Sequence, residues 1–284
     1  MKSPLLILCV ASATSAAQTD STCFRLQDLS WSPDSKTLFY SAMEVKCDWS
    51  DYSPDKWSVY SVDVTTGIVT KISSASLYVT SSPDGSAITT GKNGDIYAVN
   101  LKTRKETRLT DDLHRDFAPA WSPDGNSIAF NSDRSGTVEI WIMNADGTRQ
   151  TQVTRSGSFK SYNPAWSPDG SWIAFYLEKG DHKDQVHVIR PDGSGMVNLT
   201  NDEFNNIFPG WTPDGRILYG QERGEKTATM VVNPVTKEKE HIYHLESFFA
   251  RYSPDGTLIA AIQEEGTILL TMPDGETRRV DPKP

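Results

Sequence analysis

Trp121-Ser122-Pro123-Asp124-Gly125-Asn126-Ser127-Ile128-Ala129-Phe130 reads as a tight turn between two strands. Pro presets φ, the Asp carboxylate caps the turn, and Gly accepts positive φ. On the near side, Phe117 to Ser122 forms a first strand; on the far side, Ser127 to Asn131 forms a second. The polar loop Asp133-Arg134-Ser135-Gly136 leads to Val138–Asn144, whose side chains alternate as in a third strand. Ala145-Asp146-Gly147 then turns the chain into a fourth, Arg149 to Thr154. The segment is an antiparallel meander.

The same phrase returns along the chain. Its prolines are Pro33, Pro83, Pro123, Pro168, Pro213 and Pro254, at intervals of 40 to 50 residues. An aromatic residue stands two positions ahead of the proline in five copies: Trp31, Trp121, Trp166, Trp211 and Tyr252. Such a period exceeds one hairpin and matches a four-stranded propeller blade. Six copies predict an all-β fold, a six-bladed β-propeller of four-stranded antiparallel blades. With no convincing helical period between residue 18 and Pro284, a single propeller domain is expected over 18–284.

The first 17 residues read as a secretory signal, with Lys2, the apolar run Leu5–Ala11 and small residues at Ser15-Ala16-Ala17. The run is too short to span a bilayer, and no later stretch approaches that length. A secreted chain is expected, extracellular or, in a bacterium, periplasmic. Beyond the signal only Cys23 and Cys47 remain, an even pair in an oxidising compartment, and a disulfide is expected between them. The alternative is two free thiols or a metal pair, but no nearby His completes a metal set. The formal charge of −9, without a long basic run, argues against nucleic acid and anionic membranes as partners.

Residues 121–148 resemble the repeat of TolB-type (WD40-like) β-propellers, W-S-P-D-G-x-x-I-A-F followed by a polar loop and I-Y-x-M-x-x-D-G. The resemblance extends over roughly 25–280 and implies the propeller fold and a docking surface. TolB itself carries an N-terminal α/β domain, so the expectation is a stand-alone secreted member without it. Prolyl-oligopeptidase-like enzymes join a similar propeller to an α/β-hydrolase domain, but no G-x-S-x-G nucleophile elbow occurs in this chain.

In such a meander the blade-to-blade connections share one face with the loops between second and third strands. They bring Arg25, Gln27, Tyr78, His114, Arg115, Asp116, Lys160, Tyr162, Asn206, Glu246 and Phe248 to the axial mouth. Charges, amides and rings together suit a protein, peptide or glycan ligand. The insertion from Glu44 to Lys56 lies on that face, where Trp49 either covers the axis or packs on the first blade. The repeated aspartates are read as turn formers. His241 and His244 would point to opposite faces of a strand, so neither a metal nor another cofactor is expected. The sequence favours a secreted, monomeric, non-catalytic binding propeller. The alternative is a carbohydrate-active lyase or hydrolase with its site at the axial mouth, using His114, Arg115, Lys160 and Tyr162.

Overall fold

The structure, a computed structural model, describes residues 22–243, 245–263, 266–272 and 274–282. The expected signal segment 1–17 and His244 lie outside the described residues. The described residues form six four-stranded antiparallel sheets, each a meander in chain order. Their first strands are Thr22–Trp31, Leu77–Ser81, Asp116–Trp121, Lys160–Trp166, Asn205–Trp211 and Ala250–Tyr252. Each first strand packs against those of the two neighbouring sheets, and the first and sixth meet to close a ring. The fold is a six-bladed β-propeller. In blade 3 the other strands are Ser127–Ser132, Glu139–Asn144 and Thr151–Gln152, the last shorter than its sequence suggested.

The repeated phrase builds one turn six times over. Ser32, Ser82, Ser122, Ser167 and Ser253 each donate to Oδ1 of the following Asp at 2.6 Å, and Thr212 donates likewise to Asp214. The same hydroxyls accept backbone N–H groups on the far side of the turn, from Thr37 to Leu258, at 2.9–3.0 Å. The hydroxyl bond holds Asp34, Asp84, Asp124, Asp169 and Asp255 below the usual carboxylate range, Asp255 at about 2. The aspartates are turn formers, as the sequence indicated.

The preceding tryptophan works between blades. Trp166 Nε1 donates to Ala120 O at 3.1 Å and Trp211 Nε1 to Ala165 O at 2.9 Å, each reaching the first strand of the blade before. Trp31 Nε1 makes the equivalent bond to Arg251 O at 3.1 Å and thereby spans the seam between blades 1 and 6. Around it, Leu29, Tyr40 and Val62 share a buried cluster with Phe249, Ala260 and Ile268. Tyr40 Oη donates to Pro282 O at 2.6 Å, and Asp255 N to Ser35 Oγ at 3.2 Å. No strand is exchanged, since both sheets are built from contiguous chain. Side chains close this ring.

Blade 1 differs from expectation at its insertion. The second strand runs Thr37–Lys46 and pairs as far as Thr22 with Lys46, so Glu44–Lys46 belong to the sheet and not to a loop. Cys23 and Cys47 are bonded, which pins the open end of that hairpin. Trp49 packs among Met43, Val45, Trp57 and Leu77, beneath the Arg25 guanidinium at 5.0 Å. Of its two expected positions, the insertion's tryptophan takes the one against the blade.

Candidate functional site at the axis

In blades 1 to 5, three residues before the position that precedes the Ser/Thr-Pro turn, the first strand changes register. The pairing slips between Gln27 and Leu29, Leu77 and Thr80, Phe117 and Ala120, Tyr162 and Ala165, and Ile207 and Gly210. At each slip one residue takes a left-handed backbone: Asp28, Tyr78, Ala118, Asn163 and Phe208, at φ from 49° to 63°. None is glycine, so each bulge carries a conformational cost on the order of 1 kcal/mol or more. Bulges turn a strand and re-aim its side chains, and these all lie beside the axis.

A cavity of about 350 Å³ lies on the axis, lined by the second half of each first strand except blade 5's. Its walls include Trp31, Trp121, Trp166, Pro119, Pro164 and Phe249. Its polar groups include Asp28, Asn163 and Arg251. The cavity therefore occupies the half of the axis nearer the proline turns. On its other side, rings run from blade to blade at centroid distances of 5.4–6.2 Å: Tyr78, Phe117, Tyr162, Tyr176, Phe208, then Phe248 and Phe249.

A buried carboxyl, Asp28, and a half-buried guanidinium, Arg251, line this cavity. Asp28 is 6% exposed, its Oδ2 has no hydrogen-bond partner, and burial pushes its carboxyl up to about 7. The Arg251 charge and the Tyr78 backbone N–H pull the other way with smaller effect. Arg251 is lowered to about 10 by burial, against the opposing charge of Asp28. Its Nη1 donates to Phe208 O at 3.1 Å and Ala250 O at 2.8 Å, while its Cζ lies 4.2 Å from the Phe249 ring centroid.

Of the residues expected at the mouth, Tyr78 lines the cavity; the others lie elsewhere. The Gln27 side chain bonds the Tyr78 phenol, whose pKa burial raises. Asp116 is fully buried and accepts from Arg134 Nη2 at 2.7 Å. Asn206, also buried, donates to Asp202 Oδ1 at 2.8 Å and accepts from Gln221 at 2.7 Å. Lys160 pairs with Glu178 at 2.8 Å, which raises its pKa, and Tyr162 stacks on Tyr176. His114 Nδ1 stands 3.6 Å from Asp133, Arg115 lies over Phe117, Glu246 is exposed, and Phe248 is half-buried. Asp184, on the connection face, is raised to about 6 by burial. His187 is buried beside Phe175, with Nδ1 at 2.9 Å from Gln185 O. Among the described residues, no three His, Cys, Asp or Glu side chains converge as a metal site.

Asp28, Asn163 and Arg251 are the residues that sequence reasoning missed. A signal was present. Three positions before the repeat aromatic, Asp28 is the charged member of a series otherwise holding Tyr78, Ala118, Asn163, Phe208 and Phe249. One position before it, Arg251 stands where the other blades have Ser30, Thr80, Ala120, Ala165 and Gly210.

A sequence profile described as the TolB beta propeller domain matches residues 19–246. The chain belongs to the TolB β-propeller domain family. Atu1656 of Agrobacterium fabrum is 32% identical over 147 residues, covering 47% of this chain and 50% of that protein. Thus the TolB-type match spans about half the length of that curated relative. TolB from Acinetobacter baumannii superposes with a TM-score of 0.68 at 17% identity, over 93% of this chain and 64% of that one. An oligogalacturonate lyase in complex with manganese gives a TM-score of 0.62 at 16% identity, over 91% and 78% of the two chains. At such identities the two superpositions speak to the fold alone.

Proposed function

We propose that this TolB-type propeller is an exported, non-catalytic binding protein that receives a protein or peptide segment at its axis. The observation that carries this reading is the axial cavity, apolar in much of its wall, with a few polar side chains, Asp28, Asn163 and Arg251, lining it. That composition suits a ligand oriented by few contacts and held by many. The disulfide between Cys23 and Cys47 fits an oxidising compartment, extracellular or periplasmic. The carbohydrate-enzyme alternative draws less support. Of its four candidate groups, Lys160, Tyr162 and Arg115 lie near one another, but Lys160 is held by Glu178, Tyr162 is stacked on Tyr176, and His114 faces Asp133.

The test is a binding screen of the purified chain, lacking residues 1–17, against a displayed random-peptide library and a glycan array. Peptide capture that Ala118→Trp suppresses, with no ligand consumed, is the expected result. Time-dependent loss of a glycan, or the absence of any captured peptide, would overturn the reading.

A further inference from the structure

We propose that Asp28 and Arg251 together form an anchor for a carboxamide group of the peptide ligand, an Asn or Gln side chain above all. This inference rests on the binding role proposed above and adds the chemistry that the cavity selects. Both residues line the same cavity of about 350 Å³. Asp28 has an oxygen, Oδ2, that no group among the described residues satisfies. Buried polar atoms are normally paired, so an unpaired carboxylate oxygen beside a cavity marks a place where a donor is missing. The hydrogen bonds of the Arg251 guanidinium to Phe208 O and Ala250 O both use Nη1, which fixes the group from one side. Gly210 makes room for it, since a Cβ there would stand 3.0 Å from the arginine side chain.

Charge decides which group fits. An ammonium would satisfy Asp28 but would enter the field of Arg251. A carboxylate would suit Arg251 and be repelled by Asp28. A carboxamide brings no net charge into a poorly hydrated space; its NH₂ donates to the carboxylate while its oxygen accepts from the guanidinium. Above about pH 7, where Asp28 is ionised, both bonds are charge-assisted, the stronger class. The remaining polar surroundings are compatible. Tyr78 gives Asp28 its backbone N–H, and the Arg115 charge acts on the Tyr78 phenol. Trp31, Trp121 and Trp166 supply apolar walls for the aliphatic part of such a side chain.

The test uses three probes of one size: butyramide, butyrate and butylammonium. Each is titrated at pH 8, where Asp28 is ionised, into isotopically labelled protein and followed by backbone amide shifts. Butyramide should bind at least fivefold more tightly than the charged probes, with its largest shifts at Tyr78, Ala250 and Arg251. Asp28→Asn should cut that affinity at least fivefold while leaving the amide spectrum dispersed. Equal or tighter binding of either charged probe, or butyramide shifts away from these residues, overturns the anchor. Should Asp28→Asn fail to fold, the three-probe ranking on the unmodified protein still decides. The two readings fail separately. Peptides captured without Asn or Gln enrichment sink the anchor alone, whereas an empty peptide screen sinks the binding role and leaves the butyramide ranking to judge the cavity.

Discussion

Asp28 sets two demands of the fold against each other. Its carboxyl is raised to about 7 in the folded chain from an ordinary value of 3.8, so the native state favours its protonated form. The stability it contributes is therefore present in full below about pH 4 and is lost as pH rises through about 7. The turn aspartates carry the opposite sign. Their folded pKa values are depressed, Asp255 to about 2, so their contribution holds above pH 4 and drains away as pH falls through the folded values. Stability should peak in mildly acid solution. Asp28→Asn should flatten the decline between pH 4 and 7 and leave the variant more stable than the parent at pH 8, by roughly 1–4 kcal/mol. Thermal melts across that range will show it; an unchanged slope would refute it. A second residue-scale expectation concerns Trp166. Replacing it with Phe deletes its bond to Ala120 O and leaves that oxygen short of a partner, at a cost of about 1–2 kcal/mol in denaturant titration.

The bulges are the element-scale feature that sequence did not disclose. Turn residues announce themselves because Pro, Asp and Gly do chemically distinct jobs at fixed places, and the same holds for the Trp-Ser pair ahead of them. The bulge has no such signature: Asp28, Tyr78, Ala118, Asn163 and Phe208 share nothing but a position. What they share physically is the crowding of first strands around the axis, a property of the assembled ring and not of any segment. Ala118 offers a direct test, since it holds φ 49° with an ordinary side chain. Ala118→Gly should leave stability within about 0.5 kcal/mol of the parent, because relief of left-handed strain offsets the lost methyl and added chain entropy. Ala129→Gly, on the fully buried second strand of the same blade, should cost about 1 kcal/mol or more. A larger penalty at Ala118 than at Ala129 would show that the bulge is not strained. The cavity-lining charges were hidden for a related reason. Asp28 and Arg251 come within reach of each other only once the last blade meets the first, so each looked like a lone exception in its own repeat.

For the whole molecule, architecture was readable because it is written six times, while the candidate site was not because it occurs once. Of the eleven side chains expected at the axial mouth from the face that the connections share, Tyr78, Tyr162 and Phe248 join the chain of rings beside the cavity. Asp116 and Asn206 serve internal networks, and Tyr78 alone lines the cavity. The disulfide, by contrast, followed from counting cysteines in a chain expected to be exported. Joining residues 24 apart, it should stabilise the molecule by on the order of 3 kcal/mol on the chain-entropy account. The double variant Cys23→Ser/Cys47→Ser should melt several degrees lower, and reductant should lower the melting point of the parent but not of the variant. A parent insensitive to reductant would argue that the pair adds no stability.

Each blade is made of neighbouring residues, and so can begin to pair as soon as it leaves the ribosome or the export channel. The seam cannot. Trp31 must wait for Arg251, and Tyr40 for Pro282, so the first blade keeps one apolar flank bare until almost the last residue has arrived. During that interval the arc of blades is the form most open to capture by chaperones or by another copy of itself. A chain cut short before the sixth blade would be held there.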